Sequence, residues 1–579
     1  DARGSTTTYV VNALNQRLEA HQPEGRTQKW SYSVHGDVLT QTSATGHVTT
    51  HQYDALGQRL NTQLPAGSGA TARRQWNYDA VGNVLTQTDS NGITTTFDYD
   101  DLNRKRSASV AAADSGGAEL WSYDARNNAL THTDRAGIVS VMTYDGEDRL
   151  STRTRAGSLR ATHSYDGNGN TLTHTDARGI VTVNTFDAAN QKLSSTRDGD
   201  NERWSYTPTH QIATHTDAKG DTTTFTQDVR NRTLTERNAE NETRTSTYDG
   251  NGNRETLTLP NGEIWTQTFD TANRLTRVET PIGHTTTFTH HADDQLASIR
   301  DANTHQVTLT SDALARIATR TYPGGATFST LFDGEGNAQT ETNPDTNITR
   351  TFDGLNRART FAHVGAASAA MLSITYDPNS NPTDSTLSQG ARTLAITRAY
   401  DDHNRLEREQ SNAPAGVGAA SAAIPQPYAH SQRFALDGNG NHTTTTDATG
   451  KTSNQTFDAF NRINTTTTPG EGTTTNAWNK DGTLQSITRS NDTVTRYDYD
   501  RAKRVTSITH TKNSATTLSF VYAYDLNGNR KTQTRTQSAI NGQPGSITTT
   551  LYDYDNDDRL LSADVKQQPP SLTTPDEKT

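Results

Sequence analysis

Residues Asp89 to Arg104 read Asp-Ser-Asn-Gly-Ile-Thr-Thr-Thr-Phe-Asp-Tyr-Asp-Asp-Leu-Asn-Arg, which combines a turn, a strand and a second turn. Asp89 and Gly92 occupy the first and fourth positions of a four-residue turn, where type I turns favour Asp and Gly. The segment between the turns is rich in Thr and aromatic residues, as strands prefer. Asp100 follows Tyr99 and opens the second turn. The pattern therefore predicts a β-hairpin unit.

The same unit recurs along almost the whole chain, with Tyr or Phe before Asp as its register position. The register position falls about every 21 residues and occurs about 25 times. Other residues occupy it by alignment only: Val11, Gln227, His290, Ser311, Leu436 and Trp478. A fixed period of this length is typical of solenoid-like arrays and overrides the several domains that 579 residues would suggest. We expect one repeat array over residues 1–563 and a Pro-rich polar tail or linker over 564–579.

Two kinds of unit alternate, so the true period is about 42 residues. In one kind Tyr-Asp leads to a Gly-Asn turn, and in the other it leads to an Asn-Arg pair. The motif residues that carry the pattern are Tyr78, Asp79, Gly82, Asn83, Asp89, Gly92, Tyr99, Asp100, Asn103, Arg104, Tyr165, Asp166, Tyr248, Asp249, Asn273 and Arg274. We expect about two strands of six to eight residues per unit, joined in a long hairpin ribbon that its own twist coils into a spiral. Longer segments at 65–71, 111–117, 364–370 and 414–427 are expected along one edge.

Composition excludes several classes of protein. Hydrophobic residues make up 30% of the chain and the mean hydropathy is -0.86, so the fold must have thin apolar seams. The net charge of -11 is dispersed, and no basic patch indicates nucleic-acid binding. Absence of cysteine excludes disulfides and thiolate metal sites, and no apolar run approaches the ~20 residues of a membrane span. Asp1-Ala2-Arg3-Gly4 repeats the turn at residues 176–179, so we expect a segment of a longer polypeptide.

Tyr-Asp-x-x-Gly-Asn alternating with Tyr-Asp-x-x-Asn-Arg-Leu, joined by Asp-x-x-Gly and a Thr-rich strand, resembles the YD repeat of RHS proteins. That family includes bacterial RHS toxins, the C component of Tc toxins, wall-associated YD-repeat proteins and animal teneurins. The resemblance implies an all-β ribbon spiralling into a hollow shell, which in toxin members encloses a C-terminal effector. It also implies a secreted, extracellular or cell-surface location. The Asp-Pro-x-x-Gly-type motif that supplies self-cleavage in toxin members does not follow Tyr554-Asp555, and Tyr376-Asp377-Pro378 is an internal repeat.

Asp-Gly-Asn-Gly-Asn segments beginning at Asp166, Asp249 and Asp437 resemble the start of a calcium loop. An EF-hand needs Gly at its sixth place and Glu at its twelfth, but Thr171 and Ala177 stand there in the first segment. Turn chemistry, in which Asp and Asn satisfy the local backbone, explains these segments better. We therefore expect no metal site and no cofactor.

Three further patterns are weighed for chemistry. His132, His174 and His215 recur too far apart along the ribbon to share one zinc ion, so they are interpreted as strand-surface residues. Acidic residues are numerous enough for pairs to arise by chance, and no motif of a catalytic nucleophile or phosphate loop is present, so no catalytic residue is predicted. Paired aromatics such as Trp76 and Tyr78 could stack on sugars, but we interpret them as the hydrophobic seam.

The sequence therefore predicts a non-enzymatic wall. By resemblance, its function is to encapsulate a toxin or another passenger polypeptide. Its partners would be that passenger or flanking plug domains of the same longer chain, because the two ends of the ribbon need covering. The alternative is an extracellular or cell-surface adhesin or filament built from the same repeats, with self-association or cell-surface ligands.

Overall fold

The computed structural model describes residues 1–65, 72–112, 115–365, 369–411, 430–539 and 544–568. Those residues form fifty β-strands and one 3₁₀ turn, Pro23–Gly25. Each strand pairs antiparallel with the next one in the chain, so the whole array is a single meandering sheet. The predicted hairpin ribbon is confirmed.

The first strands are β1 Thr8–Val11, β2 Arg17–Gln22, β3 Arg26–Tyr32, β4 Val38–Thr42, β5 Val48–Tyr53, β6 Arg59–Gln63, β7 Arg73–Tyr78, β8 Val84–Thr88, β9 Thr94–Tyr99, β10 Lys105–Val110, β11 Glu119–Tyr123, β12 Ala129–Thr133, β13 Val139–Tyr144, β14 Leu150–Arg155, β15 Ser158–Tyr165, β16 Thr171–Asp176 and β17 Val181–Phe186. They are followed by β18 Lys192–Arg197, β19 Asp200–Tyr206, β20 Ile212–Thr216, β21 Thr222–Gln227, β22 Thr233–Arg237, β23 Thr243–Tyr248, β24 Arg254–Thr258, β25 Ile264–Phe269, β26 Leu275–Glu279, β27 Thr285–His290, β28 Leu296–Arg300, β29 Gln306–Ser311, β30 Ile317–Thr321, β31 Thr327–Phe332, β32 Ala338–Thr342, β33 Thr346–Phe352 and β34 Ala358–Gly365. The last are β35 Ala370–Tyr376, β36 Pro382–Gln389, β37 Arg392–Tyr400, β38 Leu406–Ser411, β39 His430–Leu436, β40 His442–Thr446, β41 Thr452–Phe457, β42 Ile463–Thr468, β43 Gly472–Trp478, β44 Leu484–Arg489, β45 Thr493–Tyr499, β46 Val505–Lys512, β47 Ala515–Tyr524, β48 Arg530–Gln537, β49 Ser546–Tyr554 and β50 Leu560–Gln568.

Most strands are five or six residues long, at or just below the lower end of the six to eight residues expected. They are short because the residues at the ends of each hairpin belong to turns and do not pair in the strand ladder. Longer strands of seven to ten residues cluster in β33–β37 and β43–β50. β50 runs to Gln568, past the expected end of the array at residue 563. The rest of the expected tail, residues 569–579, lies outside the described residues, as do 66–71, 113–114, 366–368 and the whole of 414–427.

The sheet is a single layer without a dry core. Only five apolar side chains are buried among the described residues, namely Ala20, Ala72, Ala239, Leu309 and Ala459. The prediction that the aromatic rings form a buried apolar core therefore overstates their burial. Trp76 and Tyr78 share a face as predicted, but both rings are half-buried because no second layer covers them.

The ribbon winds into a spiral whose successive revolutions touch. Contacts between revolutions join residues 242 to 283 positions apart. We call one revolution a coil: the first coil is residues 1–248, the second is 249–524, and residues 525–568 begin a third. Two edges of the ribbon run along each coil. The YD edge consists of the hairpin turns after the register positions, and the Asp-Gly edge consists of the turns between them.

Each register tyrosine reaches across its own hairpin to the previous repeat. The hydroxyl of Tyr165 donates to the carbonyl of Leu150 at 2.8 Å, and twelve other register tyrosines make the same bond. The accepting residue lies opposite a register position, beside a β-bulge. A bulge leaves a backbone group without a ladder partner, and the tyrosine supplies one.

The same bond explains two of the irregular register residues. At position 478 the indole Nε1 of Trp478 donates to the carbonyl of Ile463 at 2.9 Å. At position 227 the amide of Gln227 donates to the carbonyl of Ile212 at 2.8 Å. A terminal donor on another long side chain can therefore replace the tyrosine hydroxyl, whereas Phe186, Phe269 and Phe332 occupy the register position without a donor.

Replacing Tyr165 by Phe removes the donor while keeping the ring, so the carbonyl of Leu150 loses its side-chain partner. We expect a loss of about 1 kcal/mol of local stability and about fivefold faster amide exchange in β14–β16. Hydrogen exchange read by mass spectrometry measures this. Tyr322→Phe is the control, because no described contact uses the Tyr322 hydroxyl. Unchanged exchange in Tyr165→Phe would contradict the role given to the hydroxyl.

Candidate functional site

The Gly-Asn hairpin turn is held by its first residue. Oδ1 of Asp79 accepts hydrogen bonds from the backbone N–H groups of Val81 and Asn83, at 3.0 and 2.8 Å. Oδ2 accepts from the side-chain amide of Asn83 at 2.8 Å. Gly82, the fourth residue, has φ +99°, a conformation that glycine adopts without strain. Asp at the first position thus satisfies the donors that the turn would leave unpaired.

The Asn-Arg hairpin turn uses the same carboxylate with different partners. Oδ1 of Asp100 accepts from the backbone of Leu102 and Arg104, and its Oδ2 accepts from Nε of Arg104 at 2.7 Å. Asn103 takes the place of glycine with φ +60°, a conformation that Asn tolerates better than most residues. The guanidinium of Arg104 also lies 4.9 Å from the centre of the Tyr123 ring in the next repeat.

The two kinds of turn form a relay along the YD edge. The amide of Asn83 donates to Oδ1 of Asn103 at 2.9 Å, and Nη1 of Arg104 donates to the carbonyl of Asp124 at 2.7 Å. The relay repeats farther along: Asn253 donates to Asn273, and Arg274 donates to the carbonyl of His291. Each kind of turn therefore presents an acceptor to the turn before it. This dependence explains why the two kinds alternate with a period of about 42 residues.

The Asp-Gly edge is built from the turns that the sequence marks as Asp-x-x-Gly. Oδ1 of Asp89 accepts from the backbone of Asn91 and Ile93, and Gly92 donates its N–H to the carbonyl of Asp89. Gly92 has φ +84°. These turns project at the opposite end of the strands from the YD turns. They place polar side chains against the next coil.

Where two coils meet, the Asp-Gly edge of one faces the YD edge of the next, and we call this interface the seam. Hydrogen bonds and ion pairs across it join Arg3 with Asp249 and Asp270, Arg26 with Asp294, Arg74 with Glu335, Asn91 with Asp333, Asp134 with Asn379, Arg155 with Asp402, Asp176 with Asn439, Arg178 with Asp437 and Asp458, Arg197 with Ala459, Lys219 with Asp481, Asp221 with Arg501, Glu242 with Arg504, Glu263 with Asn527 and His284 with Asp557.

A recurrent pair of contacts organises the seam. The third residue of a Gly-Asn turn donates its amide to the first carboxylate of an Asp-Gly turn: Asn439 Nδ2 lies 2.9 Å from Asp176 Oδ2. In return, the third residue of that Asp-Gly turn reaches between two YD turns. Arg178 donates to the carbonyl of Asp458 at 2.8 Å and lies 3.3 Å from the Asp437 carboxylate. The turns of one edge therefore sit between the turns of the other along the interface.

Small residues at the second position of the covered YD turns allow this close approach. A Cβ at Gly438 would lie 2.2 Å from the carbonyl oxygen of Ala177, and one at Gly334 would lie 2.8 Å from Ser90 Cβ. Gly250 and Gly354 are confined in the same way, by Ala2 and Ala112. The equivalent Gly146 and Gly167, on the part of the YD edge that faces no coil, have nothing within 4 Å of an added Cβ.

The seam carboxylates are held ionised. Burial of Asp176 opposes ionisation, but hydrogen bonds from Asn439, Arg197 and two backbone N–H groups lower its pKa to about 2. Asp134 has its pKa lowered in the same way, by Ile138 N–H, Arg155 and Asn379 against the effect of burial. Both carboxylates therefore remain charged throughout the neutral and mildly acidic range.

The calcium-like segments bind their own turns. Oδ1 of Asp166 accepts from the backbone of Asn168 and Asn170, and Oδ2 accepts the Asn170 amide at 2.8 Å. These bonds, the Asn170 amide first, lower the pKa of Asp166 against the effect of burial. Within the described ranges, no group of three or more His, Asp or Glu side chains could hold a metal ion.

The histidine column packs on aromatic rings. His132 stacks on Trp121 and His215 on Trp204, each with ring centroids 5.2 Å apart. His174 lies against His163 at 4.9 Å. These contacts stiffen one sheet face.

No helix in the described part of the chain has the length and apolar character needed to cross a membrane.

Comparison with protein families agrees with this geometry. The RHS Repeat model matches residues 32–68, 78–118 and 478–515, and the Teneurin YD-shell model matches residues 181–362. The chain contains RHS/YD repeats. No curated protein matches the chain. The array is therefore a structural repeat shell.

Among solved structures, similar chains come from Tc toxins. A crystal structure of TcdB2-TccC3 shares 13% identity with a TM-score of 0.49, over 98% of this RHS/YD-repeat chain and 35% of that one. A TcdB2-TccC3-Cdc42 crystal structure shares 11% identity with a TM-score of 0.36, over 97% and 42%. The Photorhabdus luminescens Tc holotoxin pore shares 13% with a TM-score of 0.36, over 96% and 30%. The chain thus spans about a third of the length of the first of these structures.

The seam residues were not foreseen from the sequence. Arg178, Asn439 and Gly438 look like ordinary turn residues, and their partners lie about one coil away in the chain. Of the motif residues predicted from the sequence, Asp249 takes part in the seam, where its carboxylate pairs with Arg3. Gly438 and Gly167 occupy the same motif position, and only the three-dimensional structure shows that Gly438 is crowded while Gly167 is not.

Gly438→Ala places a methyl group against the Ala177 carbonyl. We therefore expect the seam between the first and second coils to loosen around residues 176–179 and 437–441. Amide exchange in those turns should rise severalfold, because something must shift to admit the Cβ. Gly167→Ala is the matched control, since it changes the same turn position in open space. Equal behaviour of the two variants would show that the close approach is not maintained in solution.

Acid should weaken the seam. The pKa of Asp176 is below its ordinary value of 3.8, so the stabilisation is complete above about pH 4 and is lost as pH falls toward about 2. We expect a loss of about 1–2 kcal/mol at this site, allowing for solvent screening. Exchange of the turns that flank Asp176, corrected for intrinsic pH dependence, measures it. Asp176→Asn should remove most of this pH dependence, and a persistent acid transition would assign it to another group.

Proposed function

We propose that this chain is the wall of a hollow shell that encloses a passenger polypeptide, acts outside the cell and has no catalytic role of its own. Passenger and flanking domains would be its partners within a larger assembly. This function needs no metal or cofactor of its own.

The observation that carries the proposal is a continuous wall without a core. A single sheet layer that buries five apolar side chains across its described residues cannot be the outside of a packed domain. The seam nevertheless joins coil to coil, so the wall has edges only at its two ends. A space bounded in this way is left for solvent or for another polypeptide.

Both faces of the wall suit an unfolded or polar guest. The face opposite the register tyrosines carries twelve cross-strand hydroxyl pairs, 2.5–2.8 Å apart, such as Thr143 with Thr152 and Ser164 with Thr173. The other face carries half-buried rings beneath arginine side chains, as with Arg149 over Tyr165. The hydroxyl face also exposes apolar side chains, such as Val141 beside Thr143 and Val183 beside Thr185, which offer an unfolded guest apolar contacts.

The test is single-particle electron microscopy of the native, full-length particle, with its mass measured alongside. A closed particle with lumen density that the repeats do not account for supports encapsulation. A continuous filament or an open ribbon with a solvent-filled interior would refute it and favour the surface-protein alternative. Protease treatment adds a second readout, because the passenger should survive in the unmodified particle.

The seam variants connect the wall to this readout. A passenger enclosed by the wall should be cut sooner by protease in Gly438→Ala than in the matched Gly167→Ala, because only the first change opens the seam. If both particles protect the passenger equally while exchange shows the Gly438→Ala seam to be open, protection does not come from the wall.

A further inference from the structure

Several of the amides that join the coils belong to Asn-Gly pairs. In each of these pairs the side-chain amide of the asparagine donates to a carboxylate about one coil away in the chain. They are Asn91-Gly92 facing Asp333, Asn251-Gly252 facing Asp1, Asn439-Gly440 facing Asp176 and Asn527-Gly528 facing Glu263. Asparagine is among the least durable side chains in proteins, so the seam is held in part by groups that can react.

An Asn-Gly pair can lose ammonia without any enzyme. The backbone nitrogen of the glycine attacks Cγ of the asparagine and forms a new N–Cγ bond. The Cγ–Nδ2 bond breaks, and the proton of the attacking nitrogen leaves with the ammonia. Water then opens the cyclic imide at either carbonyl, which gives aspartate or isoaspartate. Glycine favours the attack because it has no Cβ to obstruct the approach of its nitrogen.

The closed seam restrains this reaction at Asn439. The N–H of Gly440 donates to the carbonyl of Asp437 at 3.1 Å, and Nδ2 of Asn439 lies 2.9 Å from Oδ2 of Asp176. The attacking nitrogen and the leaving nitrogen are thus both held by hydrogen bonds. Asn261 also precedes a glycine, but it is exposed, and no contact among the described residues uses its side-chain nitrogen.

Deamidation would turn the contact at Asn439 from attraction into repulsion. Asp176 remains ionised at neutral pH, so a second carboxylate at hydrogen-bond distance from it would repel it. The nearby cations are already engaged, since Arg197 donates to the same oxygen of Asp176 and Arg178 is paired with Asp437. Isoaspartate would also lengthen the backbone of the turn by a methylene group, which changes its fit against the facing coil.

We propose that the Asn-Gly pairs of the seam are covalent modification sites that make opening of the wall a one-way event. While the coils are in contact, the amides are held and react slowly. Opening frees them to lose ammonia, and the carboxylate that results keeps the coils apart. The proposal concerns the wall itself and applies whether or not a passenger is enclosed.

Peptide mapping by mass spectrometry tests the reaction on the full chain, incubated in mildly alkaline buffer. We expect Asn261 to deamidate about tenfold faster than Asn439, because only Asn439 is held by the seam. Asn379 is an internal control: it makes the same contact, with Asp134, but precedes Ser380, so it should remain intact. Equal rates at Asn261 and Asn439 would overturn the proposal.

A change on the facing coil tests whether contact restrains the reaction. Asp176→Asn removes the carboxylate that holds the amide of Asn439 and leaves the turn of Asn439 itself unaltered. We expect Asn439 to deamidate severalfold faster in this variant. Asp134→Asn alters a different seam contact and should leave the rate at Asn439 unchanged. A rate that does not respond to Asp176→Asn would contradict the restraint.

The product is tested with Asn439→Asp, for which we expect amide exchange at residues 176–179 to rise about tenfold. Asn168→Asp is the matched control, since it changes the same motif position where no described contact reaches another coil. Combining Asn439→Asp with Asp176→Asn again sets one amide against one carboxylate, so exchange should return toward that of the unmodified chain. Unchanged exchange in Asn439→Asp would overturn the one-way opening. None of these readouts involves a passenger, so their failure would leave encapsulation standing.

Discussion

The carboxylate at the first position of each hairpin turn is the group on which the rest of the structure depends. With hardly any apolar side chain buried, the hydrophobic effect cannot hold this sheet as it holds a packed domain. One oxygen of Asp79 or Asp100 satisfies two backbone donors, and the other positions Asn83 or Arg104. Those side chains then bind the next repeat, so a local turn contact becomes a connection along the wall.

Repeat arrays of this kind gain stability chiefly from nearest neighbours, which allows them to open one unit at a time. The seam changes that dependence, because Arg178 and Asp176 tie a turn to others about 260–280 residues away. Opening one repeat in the second coil must then break bonds to the first. We therefore expect the covered part of the wall to open more cooperatively than the edges that face no coil.

Local chemistry could be predicted from the sequence, and contact between distant coils could not. Tyr99, Asp100 and Arg104 recur in phase, so the hairpin, its turns and the alternation follow from pattern alone. Gly167 and Gly438 occupy identical motif positions, yet only Gly438 is confined, because its surroundings depend on how many repeats complete a coil. That number follows from accumulated twist, which no single repeat encodes. The half-buried rings were misjudged because periodicity shows which side chains share a face and not whether a second layer covers it.

A seam between unlike edges has a geometric consequence. Such an interface is heterologous, so it propagates in one direction and does not close on itself. The contacts across the seam also vary from turn to turn, because the first position of the Asp-Gly turns holds a carboxylate at Asp176 and Asp217 but an amide or apolar side chain at Asn238 and Leu259. Each of these turns therefore meets the facing coil with its own set of donors and acceptors, which fixes the register in which the two coils lie.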